Sequence, residues 1–367
     1  MAHYKIKLLI MSFKLIINKI LILLILTSCS HLYDDKKQIT VDALDFEPEL
    51  TVKEHSFKEV TGFYSPAEII NVNDKYLLLS DGDDEGIIKV FTLPEIEFLY
   101  SWGTRGQGPD EFQHIPLNEI NTKNENVIFY EIGSRKLMEY FLSDSTLIFI
   151  NDRELSYRDQ TNSLTGITKV KNDFYIAERG PDFGEYPYEF IALTPDESTP
   201  KFSFGEFPES ELTGFEKLFE FHKTTAASDN GSKIAAFYMY HNQFKYFDNT
   251  GNLVGSFLVN DHLINPTGNE SKFQFRSVKE AYDSFIYVMG INEFGNLIEE
   301  QIETFRPSLE IWDWEGNQVY RAKFSVPIHN FTVSEEHGRI YAYSILNPYS
   351  IYEFEIPTDF QIHRSTN

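Results

Sequence analysis

Phe247-Asp248-Asn249-Thr250-Gly251-Asn252 and Trp312-Asp313-Trp314-Glu315-Gly316-Asn317 are two copies of one turn, aromatic-Asp-x-x-Gly-Asn. Glycine takes the positive φ that a tight hairpin needs, and aspartate bonds back to the amides of the turn. The same place in the pattern is held by Leu93-Pro94, Ser143-Asp144 and Thr194-Pro195, and near the end by Pro357-Thr358-Asp359. The markers recur about every fifty residues, which is the length of a four-stranded propeller blade.

Short apolar runs flank each marker. Tyr76–Leu79, Ile87–Phe91, Val127–Tyr130, Phe174–Ala177, Ile234–Tyr238, Phe285–Val288 and Ile340–Tyr343 all read as strands. The 32 Phe and 21 Tyr of the chain suit a pleated, half-buried surface. Few stretches after the leader carry a helical period; Glu211 to His222 is the best exception, with one or two turns. A sixth unit begins near Phe331 and runs out of residues before its closing strand. Thr51 to Val60 precedes the first unit and needs a partner. The expected fold is therefore all-β: a six-bladed β-propeller of four-stranded blades, with an N-terminal strand closing the last blade. Such a closure joins the ends of the ring and removes a frayed edge.

Trp102-Gly103-Thr104-Arg105-Gly106-Gln107-Gly108-Pro109-Asp110-Glu111-Phe112 resembles the blade-linking stretch of NHL-type and related six-bladed propellers. Three glycines and a proline turn the chain sharply, and Phe112 is placed to pin the loop between blades. Glu111 stands where a dinucleotide loop has its third glycine, and no Lys-Ser or Lys-Thr follows, so a phosphate cradle is not indicated. The whole chain resembles the TolB-like six-bladed propeller lipoproteins abundant in Bacteroidota. That resemblance implies a fold more than an activity, because one propeller scaffold carries many functions.

The N-terminus reads as an export signal. Lys5, Lys7, Lys14 and Lys19 precede the apolar run Ile20–Leu26, with no acidic residue before Asp34. That run is far shorter than the ~20 residues that span a bilayer. Leu26-Thr27-Ser28-Cys29 resembles a bacterial lipobox, which implies lipid on the Cys29 thiol and cleavage before it. Met11 is an alternative start, since Met11 to Ser28 forms a complete short signal. Two or more lipid chains would give stable anchoring. Cys29 is the only cysteine, so neither a disulfide framework nor a cysteine metal site is possible. The expected organisation is a signal peptide over residues 1–28, a lipidated flexible tether over 29–48 and a propeller over 49–367. The localisation that follows is the cell envelope, at the outer membrane or the periplasmic face.

Removing the leader's four lysines takes the formal charge from −24 to −28. Such a surface repels phosphate backbones, which excludes nucleic acid as a natural partner, and it disfavours docking on anionic lipid. Neither a G-x-S-x-G elbow nor H-E-x-x-H occurs. In a propeller the first residues of each innermost strand converge on the central channel. By that rule Glu68, Asn118, Thr165, His222, Arg276 and His329 are the candidate ligand-binding residues. The leading expectation is a non-catalytic envelope lipoprotein that binds a protein, peptide or glycan, without a cofactor. The alternative is a metal-dependent hydrolase or lactonase in which Glu68, Asn118 and His329 gather a cation such as Ca²⁺, or His222 or His329 beside Glu68 works as acid and base. The Gly/Pro-rich loop from Arg179 to Tyr188, with Phe183, Tyr186, Pro187 and Tyr188, is a second place for a partner to touch.

Overall fold

A computed structural model describes residues 38–57, 68–80, 85–106, 111–112, 121–123, 126–131, 136–154, 164–171, 174–180, 187–194, 200–208, 216–217, 220–261, 272–294, 303 and 306–357. The compact unit runs from Gln38 to Asn367. Its chain begins with three short strands, β1 (Ile39–Asp42), β2 (Glu47–Leu50) and β3 (Val52–Ser56).

Six antiparallel blades follow, each built from the centre outward. Blade 1 holds β4 (Ile69–Val72), β5 (Tyr76–Ser80), β6 (Glu85–Thr92), β7 (Phe98–Arg105) and a short β8 (Glu111–Phe112). Blade 2 holds β9 (Asn121–Lys123), β10 (Asn126–Glu131), β11 (Lys136–Leu142) and β12 (Leu147–Glu154). Blade 3 holds β13 (Leu164–Lys171), β14 (Phe174–Arg179), β15 (Tyr188–Leu193) and β16 (Phe202–Glu206). Blade 4 holds β17 (Lys223–Ala227), β18 (Lys233–Tyr238), β19 (Gln243–Asp248) and β20 (Leu253–Asn260). Blade 5 holds β21 (Lys272–Ala281), β22 (Phe285–Phe294), β23 (Ser308–Asp313) and β24 (Gln318–Phe324). Blade 6 holds β25 (Asn330–Ser334), β26 (Arg339–Tyr343) and β27 (Ser350–Glu355), and takes its fourth strand from the other end of the chain.

That fourth strand is β3, antiparallel to β27 with Val52 opposite Phe354 and Ser56 opposite Ser350. The ring closes as the sequence predicts, within the stretch from Thr51. Six apolar cores fill the gaps between neighbouring blades, one to each gap. Blades 1 and 6, the first and last in sequence, meet through Ile69, Leu77, Leu79 and Phe91 against Tyr341, Tyr343 and Ile351. Alternation along each strand supplies one apolar face to each neighbour, so the blades bury both faces and hold together by packing.

The markers at Leu93-Pro94, Ser143-Asp144, Asp248 and Asp313 join third to fourth strands, and Thr194 follows the third strand of blade 3. Pro357 follows β27, whose fourth strand comes from the N-terminus, and Pro195, Thr358 and Asp359 lie outside the described residues. Asp248 Oδ1 accepts from the amides of Thr250 and Asn252, both at 2.9 Å, and Asp313 Oδ1 accepts from Glu315 and Asn317 at 3.0 and 2.9 Å. Gly251 and Gly316 sit at φ of 85° and 91°, where a Cβ would also strike Phe204 and Phe257. In the linker after blade 1, residues 107–110 lie outside the described residues, and its two ends pair with each other. Glu111 and Phe112 pair in parallel with Thr104 and Arg105, and Phe112 is buried among Trp102, Phe129 and Tyr140, between blades 1 and 2. Of the predicted helix, Glu216, Lys217 and Glu220 are helical, and much of the remainder lies outside the described residues.

The expected tether over 29–48 needs correction. From Ile39 the chain is part of the sheets: β1 runs parallel to β20 and β2 parallel to β24. Backbone pairing asks little of side chains, so a polar, acidic stretch can join an edge that offers free amides and carbonyls. Specific side chains add to it. Arg321 donates to the Leu44 carbonyl at 3.2 Å with its guanidinium over the Phe46 ring, and the Leu44 amide donates to Gln318 Oε1 at 2.7 Å.

Candidate functional site

The innermost strands are stitched around the axis by hydroxyls. Thr168 of β13 meets Thr225 of β17 at 2.7 Å, and Thr224 accepts from the Val278 amide of β21 at 2.9 Å. Thr332 of β25 donates to Glu280 of β21 at 2.7 Å and accepts from the Asn71 amide of β4 at 3.0 Å. Threonine is favoured in strands, and here its hydroxyl also satisfies groups that six converging edges would otherwise leave unpaired.

Within this belt the charged groups collect. Glu68 precedes β4, and its carboxylate accepts from the Asn330 amide group at the start of β25. Burial pushes the Glu68 carboxyl up, while nearby Lys279 and Asn330 pull it back down. Burial lowers the pKa of Lys279, and the charges of Glu68 and Glu280 partly offset that lowering. The pairing of β21 with β22 slips between Val278 and Glu280, so Lys279 is the extra residue of a β-bulge. A bulge re-aims one side chain out of the regular alternation. The Lys279 amine makes no hydrogen bond to any described residue. Glu280 is raised to about 7, first by burial, against the hydrogen bond from Thr332, with Asp229 and Asp74 adding repulsion.

Asp74, Asp229, Asp283 and Glu335 belong to the turns that lead from innermost to second strands in blades 1, 4, 5 and 6. They share one end of the channel. Burial is the main cause that raises Asp229 and Glu335; repulsion from Asp283 and Asp74 adds to it at Asp229, and from Asp229, Asp74 and Asp283 at Glu335. Between blades 3 and 4, Lys223 donates to the Arg179 carbonyl at 3.0 Å, and Lys245 and the Tyr238 hydroxyl both reach the buried Glu189 at 2.5 Å.

The six expected residues divide. Glu68 is joined across blades 1 and 6 by Asn330, the residue after His329. His329 itself does not share a hydrogen bond with Glu68. Its Nδ1 accepts from the Ile345 amide at 3.2 Å in its own blade, and burial lowers its pKa. His222 immediately precedes β17; burial lowers it first and neighbouring Lys223 second. Arg276 is 3% exposed and serves packing rather than an open channel. It bonds Glu310 at 2.8 and 3.2 Å and also donates to Asn242, in a network that Arg321 extends to Asp261 at 2.7 Å. Thr165 lies in β13, and Asn118 lies outside the described residues. So do Phe183 and Tyr186 of the second expected contact loop, whose Tyr188 is exposed and whose Arg179 is buried. Cys29 also lies outside the described residues.

Lys279 and Glu280 were not anticipated. The signal was there: two adjacent charged residues between Val278 and Ala281 interrupt strict alternation, which marks a bulge in an otherwise regular strand. Among the described residues no three His, Cys, Asp or Glu side chains are grouped to hold a metal ion.

No family model matches the chain, and no curated protein matches it. Solved structures do. A member of the DUF4221 family from Bacteroides vulgatus superposes with a TM-score of 0.59 at 10% identity, over 85% of this chain and 97% of that one. A protein from Bacteroides fragilis whose name marks it as exported superposes with a TM-score of 0.50 at 13% identity, over 86% and 98%. At such identities the likeness is one of fold.

Proposed function

We propose that this chain is an exported lipoprotein, anchored through Cys29, whose propeller binds a protein, peptide or glycan at the cell envelope. The basic leader, the lipobox and the fold likeness to a protein named as exported support the location. The TolB-like kinship suggested by Trp102–Phe112 belongs to the same reading. The binding half rests on Lys279. It is the extra residue of the β21 bulge, and its charge is coupled to those of Glu68 and Glu280. It is a ready donor for a carbonyl, a carboxylate or a sugar hydroxyl. It also supplies the positive charge that Glu68 and Glu280 need, so a cation between them would be repelled by an amine already in place.

Two measurements test this. Cys29→Ala is expected to release the protein from the envelope fraction; unchanged sedimentation would overturn the anchor. Lys279→Met is expected to abolish co-purification of the partner captured from intact envelopes, with the melting temperature kept within a few degrees. Full capture by that variant would remove the channel from the reading. Added Ca²⁺ is expected to leave the melting temperature where chelator leaves it, since a ligand of the folded state must raise it.

A further inference from the structure

The molecule covers or blunts most of its own sheet edges. β1 and β2 lie along blades 4 and 5, and β8 along blade 1. The edges that remain are poor templates for another strand. β3 carries Lys53, Glu54 and His55, β2 carries Pro48, and β16 is only five residues long. Charge, proline and shortness are the devices by which edges avoid pairing.

Blade 2 is different. Its outer strand β12 is eight residues long and is the edge of its sheet among the described residues. Ile148, Phe149 and Ile150 are 50%, 46% and 44% exposed, with Phe141 beside Ile148 on the neighbouring strand at 36%. A long apolar edge left open is a template for strand addition.

We propose that the outer edge of blade 2 is a docking site for an extended segment of a partner protein, added to β12 as a parallel strand and patterned like β1. The molecule shows this mode of pairing on itself. Ile39-Thr40-Val41-Asp42 lies in parallel register on Phe257-Leu258-Val259-Asn260, and Asn260 donates to Asp42 at 2.9 Å. β12 offers the same order of residue types in Ile148-Phe149-Ile150-Asn151, three apolar residues and then asparagine. A second copy of this chain fits less well. Two copies would each bring a charge of −24 and repel. The inference rests on the binding reading above and names the class of partner.

The test is a labelled synthetic peptide of residues 38–45, with a photo-crosslinking group at the Thr40 position, titrated into the purified chain. Saturable binding is expected, with crosslinks on β12. Ile148→Lys combined with Ile150→Lys is expected to weaken it at least ~tenfold, while Val254→Lys, equally exposed on blade 4 at 47%, leaves it unchanged. Both sites are exposed, so the variants keep the parent melting temperature. Three outcomes would each overturn the proposal: no saturable binding, crosslinks confined to β20, or a dimer of the chain that the β12 substitutions dissolve. Failure here with partner capture still dependent on Lys279 would remove the edge and leave the channel reading standing.

Discussion

Replacing Phe112 with alanine asks whether the glycine-rich linker holds blades 1 and 2 together. The side chain is 1% exposed, with ring centroids 5.5 Å from Trp102 and 5.8 Å from Phe129. A buried aromatic removes roughly 150–250 Å² from water, which at about 25 cal/mol per Å² gives about 4 kcal/mol or more. Measured costs of truncating a buried Phe to Ala, about 3–5 kcal/mol, agree. An entropy of unfolding of about 2.1 cal/mol/K per residue, over the roughly 330 residues from Gln38 to Asn367, makes each kcal/mol worth about 1.5 °C. The expected loss is therefore about 6 °C in melting temperature, with a matching fall in the urea midpoint. Phe112→Leu should cost under about 1.5 kcal/mol, since it keeps most of the volume. If the alanine variant lost less than about 1 kcal/mol, against the range for buried aromatics, the linker would not be pinning the blades.

Further outcomes follow from the buried charges and the closure. Glu280 has its carboxyl raised to about 7, so the folded state holds a proton that the unfolded chain releases above about 4.5. Stability must then fall as pH rises from about 4.5 to 7, and Glu280→Gln should gain on the parent across that window by at most about 3 kcal/mol; parallel pH profiles of the two would contradict this. Glu310→Ala should cost about 3–5 kcal/mol in urea unfolding, because it leaves Arg276 and Arg321 buried with fewer counter-charges. Gly290→Ala should lose part of the same energy, since the new Cβ would stand 2.7 Å from Glu310 Oε1; a variant as stable as the parent would refute the crowding. Deleting residues through Thr51 should leave a folded ring, whereas deleting through Phe57 removes β3 and should yield aggregation on expression.

The blades were legible because their signals are local. Asp248 and Asp313 organise their turns from neighbouring residues, and the apolar runs advertise strands by composition. The closure was legible by arithmetic, since blade 6 lacks a strand and Thr51–Val60 lacks a partner. β1 and β2 were not, because the amides they pair with lie more than two hundred residues away and nothing in Ile39–Leu50 names them. In β21, counting from the strand start singles out Arg276, whereas the bulge at Lys279 brings forward a residue whose charge is coupled to Glu68 and Glu280. Period-two reasoning fails wherever one residue is inserted.

The order in which the first three strands are laid down has a mechanical consequence. A chain held by its N-terminus, as the proposed Cys29 anchor would hold it, passes any tug first to β1, then to β2, and only then to β3. β1 lies lengthwise on β20, so a pull along it loads the ladder in shear, all bonds together, and does not peel them one by one. The seam between β3 and β27 sits behind two such strands. Resistance to pulling is set by the rate of unfolding, and these strands place two sacrificial attachments ahead of the one on which the ring depends.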